Sequence, residues 1–267
     1  INFKMLQANL TDPGVVERVI TEVKPDVILR CAANDNVDGC EKDLKAAEEL
    51  NSILPGKIAE TAKKHHVKMI QISTDAVFDG NIGNYAETDT PNPLSVYAAT
   101  KLGGENAVLA ANPDALVLRV NFYGWSITGK RSLAEWFVNN LAENKPLKGF
   151  TDILFCPMVV LDLADTMVEA CQKDLKGLYH CVGPDVMSKY DFGVAIARQF
   201  GFDPALISPA SVQDGGLTAV RSPNLTLSTE KISSALGHAL PSFQSGLKKF
   251  HNQYRHGFPE MIKTLIA

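Results

Sequence analysis

Lys68-Met69-Ile70-Gln71-Ile72-Ser73-Thr74-Asp75 is an apolar run ending in two hydroxyls and a carboxylate, and about twenty residues later 95–111 reads as one helix. The loop between them carries the turn residues Asp79-Gly80, Gly83-Asn84 and Pro91-Asn92-Pro93. A short apolar run bounded by turn signals and followed by a helical period marks a strand–helix–strand unit. Working outward, the turn Lys24-Pro25-Asp26 leads into 27–31, a strand apolar on both faces. Residues 43–65 read as the helix joining that strand to 68–73, interrupted near Pro55, and 115–120 reads as the next strand. Strand, helix, strand, helix, strand predicts an α/β protein with a doubly wound parallel sheet.

Nearer the N-terminus, 4–8 reads as a short strand, and Thr11-Asp12-Pro13 starts a helix to about Val23, with Thr11 as N-cap and Pro13 in the first turn. Beyond Gly124 the rhythm loosens. Helices are predicted over 133–143, 163–173, 189–200 and 243–254, with short strands near 158–161 and 178–182. The expected division is 1–124, the sheet domain, and 125–267, a smaller mixed α/β region on the sheet edge.

The 267 residues are enough for a sizeable core. A composition of 45% hydrophobic and 21% charged residues excludes disordered and fibrous classes. Lys+Arg 26 against Asp+Glu 30, with no basic block, argues against nucleic acid as a partner. No apolar run reaches the ~18 residues of a membrane span, so no membrane partner is expected. Five cysteines without CxxC spacing predict a reducing, cytoplasmic compartment and no structural zinc. The six histidines and the acidic residues lack metal-ligand spacing such as HExxH, so no metal is expected.

The chemistry gathers around Thr74, Tyr97 and Lys101. Residues at i and i+4 share a helix face, so Tyr97 and Lys101 can point to one place. A free phenol has a pKa of about 10, and a nearby ammonium lowers it toward the useful range. Thr74 ends a parallel strand, where ligands bind in such sheets. A Tyr-xxx-Lys pair alone is commonplace on helix surfaces, but here it follows a Ser-Thr-Asp strand end and sits in the first turn of the next helix. These groups suit proton transfer at a carbonyl oxygen, the partner of hydride transfer from a nicotinamide.

Residues 73–80, STDAVFDG, then 87–89, ETD, then 93–105, PLSVYAATKLGGE, resemble the extended short-chain dehydrogenase/reductase superfamily, and within it the dTDP-4-dehydrorhamnose reductase family. Residues 24–33 (KPDVILRCAA), 37–41 (VDGCE), 118–124 (LRVNFYG), 150–157 (FTDILFCP) and 221–231 (RSPNLTLSTEK) resemble further segments of that family more loosely. The resemblance implies a Rossmann-type sheet and reduction of a nucleotide-linked 4-keto-6-deoxy sugar with NADP or NAD as cofactor. It implies Tyr97 as proton donor, Lys101 lowering the Tyr97 pKa and holding the nicotinamide ribose, and Thr74 orienting substrate. Asn9, Leu10, Cys31, Ala32, Ala33, Asn51 and Ser73 are implied on the cofactor side, with Asn51 holding backbone near the site. Asp75, Asn121, Phe122, Trp125 and Arg221 are implied with Thr74 on the substrate side. A homodimer is a family expectation. Two other readings stay open: an epimerase or dehydratase of the same superfamily, and a non-catalytic subunit like the regulatory subunit of methionine adenosyltransferase.

Departures from the pattern bear on the substrate. Ala76 stands where the family has Tyr, Cys31 where it has Asn before Ala-Ala, and Asn9-Leu10 where it has Asp-Leu. Trp125 and Trp136 are candidates for a sugar or base pocket, with packing the plainer reading for Trp136. Cys31 reads as a small packing residue and His65-His66 as a solvated helix end. The sequence opens on Ile1 and contains no G-x-x-G-x-x-G. The expectation is therefore that the first strand, glycine-rich turn, first helix and second strand, roughly 30 to 40 residues, are missing from it.

Overall fold

A computed structural model describes residues 4–264. Its centre is a parallel sheet of β1 (Val27–Arg30), β2 (Lys68–Thr74), β3 (Leu116–Val120) and a fourth strand, Gly177–Cys181, in that spatial order. All three pairings are parallel, with Leu29 opposite Ile70, Ile72 opposite Leu118 and Leu118 opposite Tyr179. Alternation along β2 and β3 splits their side chains between two cores. Met69 and Val117 pack with Ile20, Leu54 and Ile58 on one face, and Ile70 and Leu118 with Leu163, Met167 and Ile232 on the other. Both faces are covered, which is why β3 is buried throughout. β1 is an edge of the described sheet, and its Val27 and Leu29 are exposed. The fourth strand comes from beyond residue 124, so the later half of the chain completes the sheet.

Several predicted elements change. Residues 4–8 form no strand. Helix α1 is Val15–Val23 and follows Gly14, which takes the left-handed conformation at φ 76°. Thr11 does not cap it, because both its backbone N–H and its hydroxyl donate back to Asn9 Oδ1. A short helix, α2 (Val37–Lys42), which the sequence reading missed, starts where the Asn36 side chain accepts from the Gly39 N–H. The predicted 43–65 helix is α3 (Leu44–Glu48), a π turn over Glu49–Ile53 and α4 (Leu54–Lys64). Pro55 lies in the first turn of α4, and since it has no N–H for the Asn51 carbonyl, the wider turn precedes it. Helix α5 is Val96–Ala111, with Ser95 accepting from the Ala98 N–H. Later, Lys189–Phe200 matches its prediction, and Val160–Gln172 starts three residues earlier than predicted, after a two-residue ladder between Phe122–Tyr123 and Met158–Val159.

The later half builds its own core from Tyr123, Phe137, Phe192 and Phe250, beside a parallel ladder of Leu147–Phe150 with Ile207–Ala210. Among the described residues no helix is long and apolar enough to cross a membrane, and no group of three or more His, Cys, Asp or Glu stands ready to hold a metal.

A buried charge network crosses the main sheet. Arg119 on β3 grips Glu105 on α5, with Nη2 2.7 Å from Oε2, and both side chains are 3% exposed. Ser73 of β2 donates to the same carboxylate at 2.5 Å, and Arg119 Nη1 lies 3.3 Å from His180 Nε2 on the fourth strand. Removing one partner strands a buried charge. Arg119→Met is expected to cost about 3–5 kcal/mol in urea denaturation, and adding Glu105→Leu to it should recover much of the loss.

Candidate active site

The carboxyl ends of β1, β2 and β3 open into a cleft of about 500 Å³. Cys31, Ala32, Ala33 and Asp35 form one side, Ser73, Thr74 and Asp75 the end of β2, and Val120, Asn121 and Phe122 the far side. Tyr97 and Lys101 enter from the first turns of α5, and Arg131 reaches in from the loop before helix Leu133–Ala142. The Ser95 cap and the Glu41 carboxylate, which accepts from Val96 N–H at 2.8 Å, fix where α5 begins and thus where Tyr97 points.

Burial pushes the Tyr97 phenol up to about 12, opposed by the neighbouring Thr74 hydroxyl and reinforced by Asp75 and Asp35. Burial, not the lowering expected from Lys101, sets the direction for Tyr97. The Lys101 ammonium is 4% exposed and donates to the Ile72 carbonyl at 2.6 Å. Burial brings Lys101 down to about 8, the Arg30 charge adds to the fall, and Glu105 opposes it.

Thr74 Oγ1 accepts from the Ala76 N–H and donates to Asp75 Oδ1, each at 3.2 Å. Asp75 is buried and accepts from Asn121 Nδ2 at 2.5 Å. Burial raises its carboxyl, against Asn121 and the Lys189 charge. Sequence reading missed Lys189. Its ammonium sits 3.4 Å from the Phe155 ring centroid, and desolvation brings it down to about 8. One signal was available: Lys189 opens a helix just after its Ser188 cap, where the helix dipole disfavours a cation.

Of the residues expected on the cofactor side, Cys31, Ala32, Ala33, Ser73, Tyr97 and Lys101 line the cleft. Asn9 and Leu10 do not: Asn9 bonds Asp12 at 2.7 Å in the turn before α1, and Leu10 packs into the core around Ile20 because its apolar side chain is better buried there. Asn51 lies behind the cleft. It accepts from Asn34 N–H at 2.9 Å and donates to Asn34 O at 3.0 Å and Thr100 Oγ1 at 3.2 Å, which pins the loop after β1.

On the substrate side Thr74, Asp75, Asn121 and Phe122 line the cleft, and Trp125 and Arg221 do not. Trp125 stacks on Phe250 at 4.2 Å between centroids and donates its indole N–H to the Phe250 carbonyl, so it packs against the core. Arg221 pairs with Asp38 at 3.1 Å and lines a second cavity of about 540 Å³, together with Trp136, Phe150, Ile153, Leu217 and Lys189. Trp136, for which packing was the plainer reading, is 41% exposed at this cavity.

A parallel sheet whose Ser-Thr-Asp strand end faces a Tyr-xxx-Lys helix across a carboxyl-end cleft defines the extended short-chain dehydrogenase/reductase class, a class of NAD(P)-dependent oxidoreductases. Within it, the chain belongs to the RmlD substrate binding domain family, whose model matches residues 1–256. It is 32% identical over 246 residues to a "Probable low-salt glycan biosynthesis reductase" of Haloferax volcanii, covering 90% of this chain and 82% of that protein. It is 33% identical over 235 residues to a dTDP-4-dehydrorhamnose reductase of Mycobacterium tuberculosis, covering 84% and 75%. It is also 32% identical over 267 residues to methionine adenosyltransferase 2 subunit beta of Bos taurus, covering 92% and 75%. Among solved structures, a dTDP-4-dehydrorhamnose reductase of Bacillus anthracis in complex with NADP superposes with a TM-score of 0.86 at 25% identity, over 92% of this chain and 86% of that one.

Burial favours the protonated form of Asp75, so its raised carboxyl adds stability below the ordinary carboxyl range and loses it as pH rises through the folded value. Asp75→Asn keeps an acceptor for Asn121 without the charge. The variant is expected to resist urea better than the parent at about pH 7, with the gap closing toward about pH 4; denaturation midpoints across that range check this.

Proposed function

We propose that the chain reduces the 4-keto group of a nucleotide-linked 4-keto-6-deoxy sugar, in the manner of a dTDP-4-dehydrorhamnose reductase. The observation that carries this reading is the convergence of Thr74, Tyr97 and Lys101 on one cleft at the carboxyl ends of the strands. Reduced NADP or NAD, when bound, supplies the hydride. The residues present fit such a group: Cys31, Ala32 and Ala33 leave a floor of small side chains, and the Ile72 carbonyl takes only one of the three Lys101 N–H donors, leaving others for ribose hydroxyls.

The chain's own part is to hold the ketone and move a proton. The Tyr97 hydroxyl is protonated at neutral pH, as a proton donor must be, and gives its proton to the carbonyl oxygen as negative charge develops there. Thr74, held by the Ala76 N–H and Asp75, orients that oxygen beside Tyr97. Asn121 and Phe122 face the sugar. The second cavity takes the nucleotide, with the base on the exposed Trp136 ring and the diphosphate between Lys189 and Arg221. Lys189 serves both spaces, since its charge reaches Asp75. The same reading carries a cytoplasmic homodimer and a division of labour near residue 124 between cofactor and substrate regions.

A second reading, a non-catalytic subunit, draws on the similarity to methionine adenosyltransferase 2 subunit beta. One assay separates the two. With a dTDP-4-keto-6-deoxy sugar and NAD(P)H followed by absorbance, a full-length form of the parent is expected to turn over and its Tyr97→Phe variant to lose about 10²–10⁴-fold in kcat. Equal turnover in the two would overturn the role of Tyr97, and two inactive proteins beside co-purification with a synthetase would favour the subunit.

A further inference from the structure

Behind the Tyr97–Lys101 pair lies a second cation with no place in the chemistry above. Arg30 ends β1, one residue before the cleft floor at Cys31, and is 4% exposed. Its guanidinium makes no ion pair among the described residues. Nη2 donates to the Leu50 carbonyl, Nη1 lies 3.5 Å from Gln71 Oε1, and Nε is buried with no partner. A buried charge held only by neutral acceptors is costly, so its position calls for an explanation.

Gln71 faces Arg30 in the β1–β2 register and is itself buried. Its amide Nε2 donates at 2.7 Å to the Ile72 carbonyl, the oxygen that also accepts from Lys101 Nζ at 2.6 Å. A continuous line of hydrogen bonds thus runs from Arg30 through Gln71 to the acceptor that holds Lys101. The other charged or titratable groups around Lys101 are Tyr97 one turn before it, Cys31 and Asp35 after β1, and Glu105 one turn on. Glu105 is already claimed by Arg119 and Ser73, and Asp35 is exposed and faces Arg131 at 3.7 Å. Neither cancels the Arg30 charge.

We propose that Arg30 is a positioning residue for Lys101: its uncompensated charge, and the Gln71 amide it orients onto the Ile72 carbonyl, keep the lysine ready to lose a proton and to leave that carbonyl for the cleft. The catalytic consequence rests on the reductase reading, whereas the ionisation of Lys101 does not. The lowered Lys101 value, with Arg30 its second cause after burial, agrees with this geometry.

The test is an NMR titration of the full chain carrying ¹³Cε-lysine, with the Lys101 signal assigned from Lys101→Met. Arg30→Met and Arg30→Gln should each raise the Lys101 midpoint, by about one unit on the scale of charge effects at close range. Arg30→Lys should leave it near the parent value. If Arg30→Met fails to fold, Arg30→Gln, which keeps polar partners for Leu50 and Gln71, decides the matter. A midpoint that stays put in the neutral variants overturns the proposal whether or not the chain turns over a keto sugar. A midpoint that moves in a chain with no turnover supports it and rejects the reductase reading. Where turnover is present, the Lys101-dependent limb of the kcat profile should shift with the midpoint, and KM for the sugar should not.

Discussion

The site depends on how α5 is held to the sheet, and the buried Glu105–Arg119 pair is the charged tie between them. Tyr97, Lys101 and Glu105 follow one another at four-residue intervals, so they share one face of the helix. Glu105 is bound by Arg119 on β3 and Ser73 on β2, which fixes the rotation and height of α5. With that end locked, the earlier residues of the face have one place to go, the cleft beyond the strand ends. Arg119 also meets His180 on the fourth strand and lies over the Phe78 ring at 4.9 Å, so the pair ties the strands as well as the helix.

The opposite side of α5 is set by closeness. At Gly104 a Cβ would overlap the Asn51 carbonyl, and at Gly103 it would crowd the Ser52 hydroxyl. Two glycines therefore let α5 lie against the π turn, and Pro55 makes that turn wider by withholding an N–H. The same turn points the Asn51 side chain at Asn34 and so steadies the loop of Ala32 to Asp35. Helix contact, π turn and cleft floor are a single arrangement, which is why Asn51 matters to the site without lining it.

Lys189 joins the cleft to the second cavity. It lines the cavity that holds Trp136 and Arg221, and its charge is felt by Asp75, which leads through Thr74 to Tyr97. In the proposed function, the reacting end and the recognition end of the substrate would meet across this lysine and one buried carboxyl. Sharing a site between the strand ends and a later, separately cored region is what the interleaved chain makes available.

Much of this was legible in the residues themselves. The apolar runs of β1, β2 and β3 and the helix α5 follow from hydrophobic period and turn residues, which are local properties. The Thr74, Tyr97 and Lys101 convergence follows from a strand end and a four-residue spacing. Trp125, Trp136, Arg221, Asn9 and Leu10 were not legible in this way, because a side chain's final neighbours come from elements distant in sequence. Trp125 packs against the core because Phe250 lies under it, and Leu10 does so because Ile20 and its neighbours offer apolar surface. The same limit applies to charge. Spacing alone paired Lys101 with Tyr97, but burial raises the Tyr97 phenol, and the packed end of β2 offers Lys101 the Ile72 carbonyl instead. The sequence by itself determined the order of elements and which chemical groups reach the strand ends; the tertiary structure alone decided their ionisation and partners, since desolvation and long-range contacts exist only once the chain is packed.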